Sequence, residues 1–107
     1  MRVNWANEAR VDLRDILIYL YKTFGSKVTR RALADLKRSI RLLLLFPSLG
    51  KLCFEDIILG ITYRMLVSEH HKLVYYLEDD TLNIVAVWDN RKDPERLRNR
   101  LSEKDDE

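Results

Sequence analysis

Cysteine is almost absent: Cys53 is the single one in 107 residues. No disulfide can form within the chain, so its own core must hold the fold, and a reducing cytoplasm is the expected location. The two histidines, His70 and His71, are neighbours. Together with one cysteine they offer no metal-ligand spacing, and no metal or other cofactor is expected. Cys53 lies between Leu52 and Phe54, which predicts a small buried hydrophobe and not a reactive thiol. Long apolar runs are also missing. Leu42–Phe46, for example, is far too short to cross a bilayer. No secretory leader is recognisable, so no membrane association is expected. Charge of one sign is lacking as well. Nineteen basic and 17 acidic residues leave +2, which does not demand a nucleic-acid partner.

What is present suits one globular domain, with 47% hydrophobic and 34% charged residues. The charge is unevenly spread. Residues 93–107 hold four basic and six acidic groups, so the remainder holds 19 − 4 = 15 basic and 17 − 6 = 11 acidic, a net +4. The reading is a single domain over residues 1–101 and an acidic tail, 102–107, expected to be disordered.

The stretch Gly60–Arg91 organises the chain. Three runs rich in β-branched and aromatic residues predict strands at Thr62–Ser68, Leu73–Glu78 and Leu82–Asp89. The breaks between them, Glu69–Lys72 and Asp79–Thr81, have hairpin length. This places both histidines in the first turn, as solvated surface. Alternation puts Tyr75 and Tyr76 on opposite faces, one in the core and the other either an exposed binding aromatic or simple sheet packing.

Upstream residues supply the cover. Met1–Trp5 predicts a short strand. Asn7 is positioned as an N-cap, followed by an apolar stripe of Ala9, Leu13, Ile16, Leu17, Leu20 and Phe24 that ends at Gly25. Ser26 is the expected cap of a second helix. Its stripe is Val28, Ala32, Leu36, Ile40, Leu43 and Leu44, and its outer face is basic: Lys27, Arg30, Arg31, Lys37, Arg38 and Arg41. Pro47 and Gly50 stop it. Helices joined this tightly fold back as a hairpin whose joint apolar face lies on the sheet. Leu52-Cys53-Phe54 reads as a short strand or a packed loop, and Glu55-Asp56 as a turn. Asp93-Pro94 opens a last, thinly apolar helix carrying Leu97 and Leu101. The fold class is α+β, with Leu17, Leu36, Ile40, Ile84 and Val87 expected in one core.

Several local features coincide with this order. They are Asn4-Trp5-Ala6-Asn7-Glu8-Ala9 leading into Asp12-Leu13-Arg14-Asp15-Ile16, then Ile40, Leu43, Pro47 and Gly50 closing the second helix. Gly60 to Arg64, Val74-Tyr75-Tyr76 and Ile84-Val85-Ala86-Val87-Trp88 follow, with Arg91 after them. From about Arg2 to Asp93 the chain resembles the RelE/ParE superfamily of bacterial toxins, the toxin halves of type II toxin–antitoxin (plasmid stabilisation) pairs. The resemblance implies a twisted antiparallel sheet with an N-terminal strand, an α-helical hairpin on one face, a strand meander and a short terminal helix. It also implies a cognate antitoxin that wraps the toxin in a hetero-oligomer. The target is DNA gyrase in the ParE branch, or ribosome-bound mRNA in the RelE branch.

The residues lean toward the first branch. An RNA-cleaving site of the RelE kind would draw on Arg64, Arg91, Lys92 and Tyr76. Arginine stays protonated and an exposed lysine titrates near ~10.4, so neither shuttles protons at neutral pH. No tyrosine or histidine follows Tyr76, and the two histidines are placed in a hairpin away from Arg91. Gyrase inhibition by protein contact needs no proton transfer. The expected activity is therefore ParE-like and not enzymatic, with RelE-like mRNA cleavage, or an inactive member that binds its antitoxin, as alternatives. Lys27, Arg31, Arg38, Arg41, Arg64 and Arg91 are the expected partner-binding residues.

Overall fold

The structure, a computed structural model, describes residues 1–92. The predicted helix beginning at Pro94 and the acidic tail lie outside the described residues. Seven elements follow in order: β1 (Arg2–Trp5), α1 (Asn7–Phe24), α2 (Ser26–Leu45), β2 (Lys51–Asp56), β3 (Ile61–Val67), β4 (His71–Glu78) and β5 (Thr81–Asp89). The five strands form one sheet in the order β1-β5-β4-β3-β2. β2 to β5 are antiparallel neighbours, whereas β1 lies parallel to β5, with Trp5 beside Ile84. The sheet is therefore mixed: the helix hairpin carries the chain from β1 at one edge to β2 at the other, and the meander returns it to β5 beside β1.

Turn chemistry sets the registers. Asp79 and Asp80 both have positive φ, 52° and 56°, as a two-residue hairpin turn with the twist of its strands demands. Ser68 N–H donates to the His71 carbonyl at 2.8 Å, so Glu69 and His70 alone make the β3–β4 turn. His71 is thus the first residue of β4 and not a turn residue.

The helices meet with a one-residue joint. Gly25 has φ 89°, and its N–H donates to the Tyr21 carbonyl, ending α1. The same glycine precedes α2, where the Thr29 hydroxyl donates back to its carbonyl at 2.8 Å. The predicted caps fall one residue late. Ala6 occupies the capping position of α1 and Gly25 that of α2, neither with a side-chain cap, while Asn7 and Ser26 are already helical.

The core lies between hairpin and sheet. Leu20, Leu43, Leu73, Tyr75, Leu82 and Ile84 are its largest fully enclosed side chains. Of the five expected core residues, Leu36, Ile84 and Val87 are buried, whereas Leu17 and Ile40 are half-buried. Phe24, the last member of the α1 stripe, is exposed. A bulge in β5 near Val85 shifts the pairing with Val74 and Tyr75. Just beyond it, the Asp12 carboxylate accepts the Val87 N–H at 3.1 Å, fastening α1 to the sheet.

Cys53 is exposed, contrary to the expectation of burial. β2 is the edge strand, and a second bulge falls at Cys53, between the pairs Leu52–Arg64 and Phe54–Tyr63. A flanking Leu and Phe mark a strand, but they do not place it at the edge.

Candidate functional site

The sheet face turned away from the helices carries an aromatic row. Tyr75 points into the core, so its neighbour Tyr76 points out. There it meets Tyr63 edge-on, ring centroids 5.5 Å apart, and Tyr63 in turn meets Phe54 at 6.1 Å. The three rings cross β4, β3 and β2 in sequence. Such contacts hold rings in fixed orientation, and none of the three is buried. Sequence alternation sets one of the two tyrosines outward without deciding which; the structure makes it Tyr76. Nothing in the sequence alone joins Phe54 and Tyr63 to Tyr76, since the row forms only once β2, β3 and β4 are paired.

A second surface is the outer side of α2. Lys27, Arg31, Arg38 and Arg41 are all exposed. At 100° per residue they fall within an arc of about 80°, opposite the apolar stripe. The pair Arg38–Asp35 at 3.3 Å is the one ion pair this stripe makes among the described residues. The stripe remains basic and solvated along the helix.

A third feature lies along α1, which sequence reading left unremarked. Trp5, Leu13, Leu17 and Ile18 line an open apolar groove flanked by Arg10 and Arg14. The i, i+4 spacing of the two arginines was its legible signal.

Two further predicted cations, Arg64 and Arg91, are engaged internally. Arg64 Nη1 donates to the carbonyls of Gly50 at 2.8 Å and Ser48 at 3.3 Å. Its guanidinium therefore ties the α2–β2 loop to β3, on the core side of the sheet where its partner Tyr75 points. Arg91 is bound by Asp89 through its backbone N–H at 2.9 Å, Nε at 3.0 Å and Nη2 at 2.8 Å. Asp89 is buried, and its hydrogen bonds raise the Arg91 pKa above the ordinary arginine value, with Asp35 and Glu69 adding to the effect. Lys92 follows, and its N–H donates to the Asp89 carbonyl.

The histidines correct the sequence reading most sharply. His71 is buried, 3% exposed, and its Nε2 lies 2.9 Å from the Ser39 hydroxyl on α2. It pairs with Asp89 across β4–β5 and therefore sits beside Arg91 and not away from it. His70 joins the same corner, accepting the Asn90 N–H on its carbonyl at 2.7 Å. Burial lowers the pKa of His71; Asp89 and Asp35 oppose this, and Arg91 and His70 reinforce it. A neutral imidazole held on a serine from within the core joins α2 to the sheet.

These positions separate the residues expected to act together. Tyr76 stands on the open face, whereas Arg91 is on the helix side, in electrostatic reach of Asp35 on α2. The span from His71 to Tyr76 along β4 is roughly 17 Å at ~3.4 Å per residue. Arg64, Arg91 and Tyr76 do not converge on one point. Among the described residues no group of three potential ligands could hold a metal, and no helix is long and apolar enough to cross a membrane.

Comparison with known proteins agrees with this architecture. No curated protein matches the chain. Among solved structures, the chromosomal ParDE TA system from P. aeruginosa superposes with a TM-score of 0.63 at 17% identity, covering 83% of this chain and 95% of the other. At that identity the likeness is one of fold. The profile of the ParE toxin of type II toxin–antitoxin system, parDE, matches residues 3–94. With helix hairpin, crossover strand and meander all inside that match, the chain belongs to the ParE toxin family of type II toxin–antitoxin systems.

Proposed function

We propose that this toxin arrests growth by protein–protein contact with DNA gyrase, acts in the cytoplasm, and is neutralised by a cognate antitoxin in a hetero-oligomer. The observation that carries the reading is the division of labour among its polar groups. Arg64 and Arg91, two of the three cations an RNA-cleaving centre would draw on, are spent on the Ser48 and Gly50 carbonyls and on Asp89. What faces solvent is a contact surface: Phe54, Tyr63 and Tyr76 on the sheet and the basic stripe of α2. Aromatic rings fixed by one another suit a protein interface, because little side-chain freedom is lost on binding.

The antitoxin is expected on the helix side, where Arg10 and Arg14 flank the apolar groove and the α2 stripe adds charge. An amphipathic, acidic segment matches that combination. Expression without antitoxin, followed by DNA-synthesis labelling and primer extension on transcripts, tests the proposal. Loss of DNA synthesis with filamentation and intact transcripts is the expected result. New 5′ ends inside translated codons would replace it with RelE-like cleavage, and unimpaired growth would mean a member that binds its antitoxin and poisons nothing.

A further inference from the structure

The two edges of the sheet are unlike. β1 is short and exposes Arg2 and Asn4, which suits an edge that must stay unpaired. β2 exposes Leu52 and Phe54, and the turn after it is Ile57-Ile58-Leu59-Gly60. Turns are ordinarily polar; here Ile57, Ile58 and Leu59 are 87%, 95% and 67% exposed. The tip is nevertheless ordered by design: Asp56 accepts the Leu59 N–H at 3.0 Å, and Gly60 takes φ 68°. At the other end of β2, Leu45, Phe46 and Leu49 are exposed too. An apolar surface of this extent on a strand edge that no other described strand covers is an association site.

We propose that the occupant is a second copy of this chain, pairing antiparallel along β2 about a two-fold axis between Cys53 and Phe54. The argument is self-complementarity. In that register Lys51 stands opposite Asp56 of the other copy, Leu52 opposite Glu55, and Cys53 opposite Phe54. Lys51 and Asp56 pair with Met65 and Ile61 on β3, both of which alternate with Tyr63 on the open face, so the two charges meet on the same face. A two-fold axis makes that contact twice. The β2 bulge, which usually protects an edge, falls at the axis in this register, so the face-matched pairs lie on either side of it. Continuing the register sets Ile57 and Ile58 of one copy against Gly50 and Leu49 of the other, beside Phe46 and Leu45. The apolar tip of each copy thus covers the apolar end of α2 in its neighbour.

The chain supplies its own probe, because Cys53 is its sole cysteine and is exposed near the axis. Full-length chain made by cell-free synthesis is treated with a short-spacer bismaleimide and, separately, followed by sedimentation across a concentration series. The expected result is a species of twice the chain mass, cross-linked through Cys53. Ile58→Asp, at a side chain with no packing of its own to lose, should weaken self-association about a hundredfold or more, since each dimer buries two copies of it. Lys51→Glu should weaken it about tenfold by setting like charges opposite each other twice. Asp56→Lys should do the same, and mixing the two variants should restore pairing as a heterodimer, because Glu faces Lys at one end and Lys faces Asp at the other. Circular dichroism of Asp56→Lys checks that the turn survives loss of its cap; should it unfold, Lys51→Glu and Ile58→Asp decide alone. A monomer at every concentration, or a dimer that both Ile58→Asp and Lys51→Glu leave unchanged, would overturn the proposal.

Discussion

The Tyr75 hydroxyl occupies the space that a side chain at Gly50 would need. A Cβ built there would lie 2.7 Å from both the ring and the hydroxyl of Tyr75, and 3.1 Å from the Met65 backbone. The hydroxyl accepts the buried Gly50 N–H at 2.9 Å and donates to the Pro47 carbonyl at 2.6 Å. Arg64 binds the same loop from the next strand. One fully buried tyrosine thereby fixes the turn between α2 and β2. Burial raises its pKa, opposed by the Gly50 hydrogen bond and by Arg64, so the phenol stays protonated and available as a donor.

Removing that hydroxyl should therefore cost more than an average hydrogen bond. Tyr75→Phe leaves the Gly50 N–H buried without a partner, a loss of about 1–3 kcal/mol. Gly50→Ala forces a clash with the same ring and should cost about 1–3 kcal/mol through overpacking. Urea melts of both variants check this. Wild-type stability in Gly50→Ala would show that the loop has room to move.

Leu36 lies on the apolar stripe of α2, nearly fully buried against the sheet. Leu36→Ala should lose about 2–5 kcal/mol, the sum of lost transfer energy and a residual cavity. Denaturant melts measure it, and a change of a few tenths would mean that α2 repacks freely.

His71 predicts a dependence on pH. Its folded pKa lies below the ordinary imidazole value, through burial. The unfolded chain then binds the proton more readily. Stability is complete above the unfolded pKa of about 6.5, and is lost as pH falls through the window between that value and the lower folded one. The melting temperature should drop on acidification in that window. His71→Gln, which keeps a polar partner for Ser39, should flatten the drop, and His70→Gln, at a more exposed ring, should not. Equal slopes for the wild type and His71→Gln would assign the effect to other groups around it, Asp35 and Asp89 among them.

Much of this architecture was legible because two periods run through the chain. The 3.6 period of Ala32, Leu36 and Leu43 and the alternation of Leu73 and Tyr75 are enforced by the same core, so both could be read locally. The parallel pairing of β1 with β5 could not, since Trp5 and Ile84 are neighbours only after the hairpin has crossed the sheet. His71 was misplaced for a related reason. His-His-Lys looks like turn, and the compensation for burying an imidazole comes from Ser39, 32 residues away. A serine inside the apolar stripe of α2 was the available clue. The lock on Arg91 was hidden in plain order: Asp89 is two residues back, a spacing that pairs side chains in a strand end but says nothing of burial.

The basic stripe of α2 should govern encounter with the antitoxin more than final affinity. Reversing Arg31 and Arg38 to Glu should slow association and flatten its dependence on salt, while dissociation changes less. Stopped-flow or surface-based kinetics at several ionic strengths would show it. An unchanged association rate would place the antitoxin on another face.

Tyr76 separates contact from catalysis. As a general acid it would act through its hydroxyl, and removing that group should cost ~10²–10⁴-fold in rate. As part of a contact surface it acts through its ring, which packs edge-on against Tyr63 at 5.5 Å between centroids. Tyr76→Phe preserves the ring and discards the proton. Tyr76→Ala discards both and leaves Tyr63 without its neighbour. The contact mechanism predicts that Tyr76→Phe arrests growth as strongly as the wild type, whereas Tyr76→Ala arrests it weakly at matched expression. Plating efficiency after induction without antitoxin provides the readout, with immunoblots to equalise protein levels. Should Tyr76→Phe lose its toxicity along with Arg91→Ala, and both variants leave transcripts uncut where the wild type cuts them, the hydroxyl is the working group and the toxin is a ribonuclease.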